Sequence, residues 1–361
     1  MREYGRPSEE EMMWKAEQPE KTEQVEQQIT SGEKQYETRE GEKVTLQWTI
    51  TKPEEGPTSE DEAMIFLPGV ALDADSKSVS NTAENAANAS NLNTYSITTR
   101  LENAKAENSQ AIQAEAMQQF IAEQNFKEIT LTGNSQGANK VGYLYHEIKH
   151  NSPDIHIRGM ILDSPAGLID QNGLVLTAKF YEDSLLKTGP EIIKNSKVGS
   201  IRKIKDTARR MGRSIQIGAD VGMGMGKEFA TAPTEFPARV LREGKEAGTE
   251  NPYWSEVDCP VVIIVGDKDM AFNPKEILPE SPFDDKTLFK ESVRDKTVDA
   301  QNLREQTMKK TFPNSPMVRT LIGSKDSTHA MRFTRGKKVP SSGWHMLLRI
   351  EKQLKNPSKV E

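Results

Sequence analysis

Five residues, Gly133-Asn134-Ser135-Gln136-Gly137, form the pattern G-x-S-x-G between a strand-like run, "EITLT", and an amphipathic run, "ANKVGYLYHEI". A serine on a tight strand-to-helix turn is the arrangement that presents a hydroxyl for nucleophilic attack, a nucleophile elbow. The two glycines suit it, because side chains flanking the serine would strike the neighbouring strand and helix. The helix starting near Gly137 brings its N-terminal partial positive charge beside the serine, where it favours a developing oxyanion. The chemistry this spacing suggests is acyl transfer through a covalent ester.

A serine hydroxyl is a poor nucleophile until a base takes its proton, and the chain holds five histidines. His146 and His150 fall on the helix after the turn, facing away from its start. His156 precedes a strand, at the far edge of the sheet. His329, in "GSKDSTHAM" just past the last strand-like run, is the preferred base, since catalytic groups converge on loops at the C-terminal edge of a parallel sheet. His345, between Trp344 and Met346 on a closing amphipathic run, reads as a helix-surface or partly buried packing residue. The imidazole in turn needs a carboxylate to fix its tautomer. Asp267 and Asp269 follow the buried run "VVIIVG", and Asp163 ends "GMILD".

The elements that must hold these residues alternate along the chain. Residues 1–34 are rich in Glu, Gln and Lys and bury too little to offset ordering entropy, so a disordered or weakly helical tail is expected. "YETRE" and "KVTLQWTIT" read as antiparallel strands around a turn at Gly41. "AMIFL", "TYSITT", "KEITLTG", "IRGMILD", "CPVVIIVGDKD" and "MVRTLIG" read as further strands. "SQAIQAEAMQQFIAEQN" sets Ile112, Ala116, Phe120 and Ile121 near one helical face. "SKSVSNTAENAANASN" is polar and Asn-rich, a poor helix. Strands alternating with helices imply an α/β fold, a mostly parallel sheet covered on both faces. The rhythm breaks over residues 170–255, which carry helix-like segments and no convincing strand. The domain plan is therefore a tail (1–34), a core in two parts (35–169 and 256–361), and a helical insertion (170–255).

Within the insertion, "GADVGMGMGKEF" matches neither phosphate-loop pattern and follows no strand. It reads as a flexible, apolar-lined hinge over the pocket. "IRKIKDTARRMGR", with Ile201, Ile204, Ala208 and Met211 on one face and basic residues opposite, reads first as a solvated helix face and alternatively as a surface for an acidic partner or an anionic membrane. A formal charge of −6 on 361 residues gives no bias toward nucleic acid or anionic membranes. No apolar run is long enough to span a bilayer, and "MREYGRPSEEEMMWKAEQPEK" lacks an apolar signal core. Cys259 is the single cysteine, so no internal disulfide forms. No His/Asp/Glu group has metal-ligand spacing along the chain, so no metal and no cofactor are expected. These features read as a soluble intracellular protein, placed in the cytoplasm.

The order Ser, Asp, His and the sheet alternation resemble the α/β-hydrolase superfamily, in its esterase- and lipase-like serine hydrolases with a helical cap. The resemblance covers roughly residues 36–355 and rests on the elbow and on the "VGDKD" and "THAM" loops. It does not extend to an Arg-Gly-x-Gly-x-Ser pattern after "TYSITTR". It implies a central sheet of about eight strands with a helical cap, and a triad of Ser135, His329 and Asp269, the acid falling three residues past Gly266. Asp163 is the second candidate, because some members place the acid after that earlier strand, and Asp267 becomes a turn former. The oxyanion donors it implies are the amides of Gln136 and Val70, with Pro68 standing where the family usually has histidine. A serine nucleophile argues against dehalogenase and epoxide hydrolase chemistry. The implied activity is cleavage of a carboxylic ester or related acyl bond of a small acyl substrate. The alternatives are acyl transfer on the same triad and non-catalytic ligand binding.

Overall fold

A computed structural model describes residues 30–69, 72–103, 106–168, 170, 172, 219–226, 229–230, 234–266, 269, 308–322 and 338–356. Its elements run β1 (Thr30–Glu37), β2 (Lys43–Thr51), β3 (Glu62–Leu67), α1 (Lys77–Ser90), β4 (Asn93–Leu101), α2 (Ser109–Glu123), β5 (Glu128–Asn134), α3 (Gln136–Asn151), β6 (His156–Asp163), α4 (Phe236–Gly248), β7 (Val261–Val265), β8 (Val318–Ile322) and α5 (Lys338–Lys355).

The eight strands form one sheet in the order β1-β2-β4-β3-β5-β6-β7-β8. β2 is antiparallel to both its neighbours, and the pairs from β4 through β8 are parallel. β2 is thus the single reversed strand. The first two strands close a tight hairpin in which Gly41 has φ 77°, a conformation that carries little penalty without a Cβ. Pairing begins at Thr30, inside the segment whose composition suggests a tail. The hairpin gives that segment partners: Lys34 and the Tyr36 hydroxyl both reach the Glu123 carboxylate, at 2.7 and 2.9 Å.

The inner strands are apolar on both sides because both sides are covered. Along β3, Ala63, Ile65 and Leu67 join one core, while Met64 joins another. β7 divides the same way, with Val261, Ile263 and Val265 opposite Val262 and Ile264. The first core takes in Ile112 and Phe120 of α2 and Val141 and Leu144 of α3. The second takes in Ala86 of α1 and Trp344, Leu347 and Ile350 of α5. Period-two alternation in the strands therefore assigns each helix its face.

Two expectations are corrected. The Asn-rich stretch is a full 14-residue helix, α1, with Val79, Ala83, Ala86 and Ala87 buried. Small side chains at this spacing let the backbone lie close to the sheet, and packing overrides a weak intrinsic propensity. The Gly- and Met-rich stretch is also helical, over residues 219–226. Val221 and Met225 pack against Phe66, Leu72 and Val79, and Asp220 accepts a 2.9 Å hydrogen bond from the Ser78 amide at the start of α1. A docked helix replaces the expected hinge. A Cβ at Gly222 would meet nothing within 4 Å. Gly222→Ala is accordingly expected to stabilise the fold by about 0.5–1 kcal/mol, through the lower helix propensity of glycine. Chemical denaturation checks this, and a loss of stability would mean the position needs glycine's conformational freedom. The basic "IRKIKDTARRMGR" run lies outside the described residues.

Candidate active site

The chain leaves β3 toward α1 on one face of the sheet and leaves β5 toward α3 on the other. Adjacent parallel strands whose connections diverge this way open a crevice at their carboxyl ends. Ser135 stands in that crevice, between the last residue of β5 and the first of α3.

Its backbone has φ 56° and ψ −123°. A non-glycine residue held there costs on the order of 1–3 kcal/mol, and surrounding structure must impose it. The restraints are specific. The Ser135 amide donates to Asp163 O at 2.9 Å, and its carbonyl accepts from the amides of Ala138 and Ala166 at 3.0 and 3.1 Å. Ser135 is buried, at 7% exposed.

Both flanking glycines are required by close approach. A Cβ on Gly137 would fall 2.1 Å from Leu67 O and 2.4 Å from Pro68 O, and one on Gly133 would fall 2.6 Å from the Ala138 backbone. Neither glycine has a positive φ, so contact with backbone, which cannot swing aside, fixes the residue type. A Cβ on Gly69 would lie 3.3 Å from the Ser135 Cβ. The loop after β3 therefore passes directly against the serine.

Gln136 and Gly137 open the first turn of α3, where main-chain N–H groups have no intrahelical acceptor. No acidic residue occupies that turn to compete for the donors or the helix dipole. The site can thus favour negative charge on an oxygen beside Ser135.

A cleft of about 140 Å³ adjoins the serine, lined by Leu67, Pro68, Gly69, Gln136 and Lys140 and bordered by Gly224 and Glu243. Its far wall is polar: the Lys140 ammonium and the Thr99 hydroxyl both donate to Gln113 Oε1, at 2.9 and 2.6 Å. α4 lies along the start of α3, where the Gln136 amide group donates to Glu243 O at 3.4 Å and that of Asn139 to Glu246 O at 3.1 Å. Glu246 also receives the Ser109 hydroxyl of α2. The chain then returns to the core through Asn251, whose side chain donates to Asn139 O at 2.7 Å, and through the Trp254 indole, which donates to Gly167 O at 2.7 Å.

Of the residues expected to act, Ser135, Gln136, Gly133, Gly137 and Asp269 are described, while Val70, Asp267 and His329 lie outside the described residues. Asp269 is 2% exposed, past the end of β7, and its amide closes a turn onto Gly266 O at 3.3 Å. Asp163 is fully buried at the end of β6 and accepts from the Asn134 side chain at 3.3 Å. Both carboxyls sit at the carboxyl edge of the sheet, as the acid of a triad must. The four described histidines lie elsewhere. His156 opens β6 at the opposite edge and pairs with Glu128 at 2.8 Å, and His345 is exposed on α5. His146 and His150 lie in the second half of α3, where Glu256 joins them. Ligand spacing does not reveal that grouping, because Glu256 is 110 residues beyond His146. The pair Asn134–Asp163 and the link Asn139–Asn251 are likewise absent from any periodic pattern.

The one cysteine is no rival nucleophile. Burial pushes the Cys259 thiol well above its usual range, with the Asp258 carboxylate adding to the effect, and a thiol so held stays protonated.

No protein-family model and no curated protein sequence matches the chain. Solved structures do. An α/β-hydrolase fold protein from Chitinophaga pinensis superposes with a TM-score of 0.51 at 12% identity, over 88% of this chain and 98% of that one. A thermophilic esterase from Thermogutta terrifontis superposes with a TM-score of 0.46 at 12% identity, over 90% of this chain and 98% of that one. A hydrolase from Pseudomonas aeruginosa gives 0.48 at 9% identity, over 88% and 98%. With eight strands in this order, one of them reversed, and a strained serine between β5 and α3, the chain has the α/β-hydrolase fold.

Proposed function

We infer that the protein is a serine hydrolase that cleaves a carboxylic ester or related acyl bond. The observation that carries this reading is the Ser135 backbone at φ 56° and ψ −123°, held at the crevice by main-chain hydrogen bonds and flanked by glycines that admit no side chain. Strain of this kind persists where it has a use, and here it sets the serine at the first turn of a helix, next to residues that line the cleft.

In the proposed reaction Ser135 Oγ attacks the acyl carbon while His329 takes its proton. Asp269 accepts the other ring N–H and steadies the imidazolium. The Gln136 and Val70 amides hold the oxyanion as the Oγ–C bond forms. Collapse expels the leaving alcohol, which takes the proton from His329. Water then attacks the acyl-enzyme, gives its proton to the same imidazole, and releases the acid and the serine. The helices around residues 219–226 and α4 would act as the cap that sets which acyl group fits.

A fluorophosphonate probe tests the reading, because it labels an activated serine and leaves an ordinary one intact. Labelling is expected on the peptide that carries Ser135, together with burst kinetics on p-nitrophenyl esters of varied chain length. Labelling elsewhere, or none alongside no turnover, would overturn it in favour of a ligand-binding role. An added alcohol that diverts most of the acyl group from water would make the activity a transferase.

A further inference from the structure

We propose that His146, His150 and Glu256 form a binding site for a divalent transition-metal ion of the zinc class, which would clamp α3 to the turn before β7. The site stands apart from the serine, in the second half of the helix that starts there. The two histidines are four residues apart and so share one face of α3, with ring centroids 4.4 Å apart. Glu256 ends the 3-10 turn Trp254–Glu256, which the buried Trp254 anchors to the core. Glu256 Oε2 is 2.7 Å from His146 Nδ1 and 3.3 Å from His150 Nε2. All three donor atoms lie within 4.8 Å of one another.

The Glu256–His150 separation already matches what a tetrahedral ion asks for, and the shorter Glu256–His146 hydrogen bond would lengthen as the ion takes the place of its proton. With metal–ligand bonds of about 2.0–2.2 Å, neighbouring donors stand about 3.3–3.6 Å apart. Each imidazole need only carry its proton on the ring nitrogen that faces away from Glu256, leaving the inner nitrogen's lone pair for the ion. Two imidazoles and a carboxylate suit Zn²⁺, Co²⁺, Ni²⁺ or Cu²⁺, whereas Mg²⁺ and Ca²⁺ take all-oxygen sets.

The surroundings hold the ligands in place and admit the ion. His146 stacks on Tyr253 at 4.0 Å and 20°, and Tyr253 packs edge-on against Tyr143 at 5.1 Å. The side chains of His146, Glu256 and His150 are 26%, 34% and 56% exposed, so solvent can supply the ion and fill its fourth position. Lys149, the nearby cation on the same turn, is paired with Asp258. The carbonyl end of α3 adds a favourable dipole for positive charge.

Zinc chloride titrated into the chelator-treated full chain at pH 7.5 tests the proposal by calorimetry. One equivalent is expected to bind, to raise the thermal midpoint in proportion to the logarithm of zinc concentration, and to give with Co²⁺ the intense visible absorption of a tetrahedral site. The His146→Ala/His150→Ala double variant should weaken binding by about a hundredfold or more, beyond the loss from removing a supporting residue. His150→Ala alone, at a largely exposed position that keeps the fold, should show a loss of about tenfold or more. His156→Ala and His345→Ala should bind as the parent does. Equal affinity in the double or His150→Ala variants would overturn the site, as would no saturable binding up to about 1 mM zinc.

Discussion

Ser135→Ala is expected to abolish fluorophosphonate labelling and to lower ester turnover by about 10⁶, the scale of loss when the nucleophile of a working triad is removed. The change deletes one oxygen and leaves the Cβ where it is, so Gly69 and Asn134 keep their neighbour. The amide and carbonyl bonds to Asp163, Ala138 and Ala166 belong to the main chain and survive. The variant should therefore melt within a degree or two of the parent while its activity vanishes. Turnover that persists undiminished would move the reaction off this serine, and with it the proposed function. Lost activity accompanied by lost folding would instead show that the hydroxyl has a structural task.

The second large effect concerns the acid. An aspartate orients an imidazole by accepting its ring N–H, whereas an asparagine of the same size can present a donor and favour the wrong tautomer. In a serine protease triad that change lowers turnover by about 10⁴ with the geometry intact. Asp269→Asn is expected to do the same here, with Asp163→Asn losing about tenfold or less. The two carboxyls are both buried at the carboxyl edge, and their places in the chain distinguish them. Asp163 is engaged by the Asn134 side chain next to the elbow, while Asp269 follows the turn beyond β7. Steady-state kinetics on the two variants decide the assignment. A loss of several orders of magnitude at Asp163, with Asp269→Asn nearly silent, would transfer the acid to the end of β6.

Much of this architecture is local, and the local parts are legible in the sequence. The Gly41 hairpin, the β5-to-α3 turn and the alternation of strands with helices follow from short-range patterns of glycine and apolar residues. The requirement for Gly133 and Gly137 is equally plain, because a tight strand-to-helix turn leaves no room for a Cβ. α1 is hidden because its burial rests on one valine and three alanines among Asn and Ser, a signal too weak for hydropathy to register. The helix at 219–226 is hidden for a related reason: its glycines suggest freedom, and the contacts that fix it, to Phe66, Leu72 and Ser78, are well over a hundred residues away. His146, His150 and Glu256 show the same limit. Two of the three are visible as a helical pair, and the third arrives through the fold.

The manner in which Ser135 is held has a bearing on how this chain tolerates change. Its amide and carbonyl are bound to the end of β6, to α3 and to the segment just after β6, all within the sheet and its immediate packing. Part of the cleft's border comes from elsewhere, from Glu243 of α4 and Gly224 of residues 219–226, which meet the core through contacts such as Gln136 to Glu243 and Ser78 to Asp220. Substitutions there can redraw the cleft without shifting the Ser135 hydroxyl. Substitutions at Gly133 or Gly137 cannot be absorbed in this way, since the first atom added meets backbone. A search for new specificity in this protein thus has a permissive rim and an unforgiving hub, and the boundary between them runs along the first turn of α3.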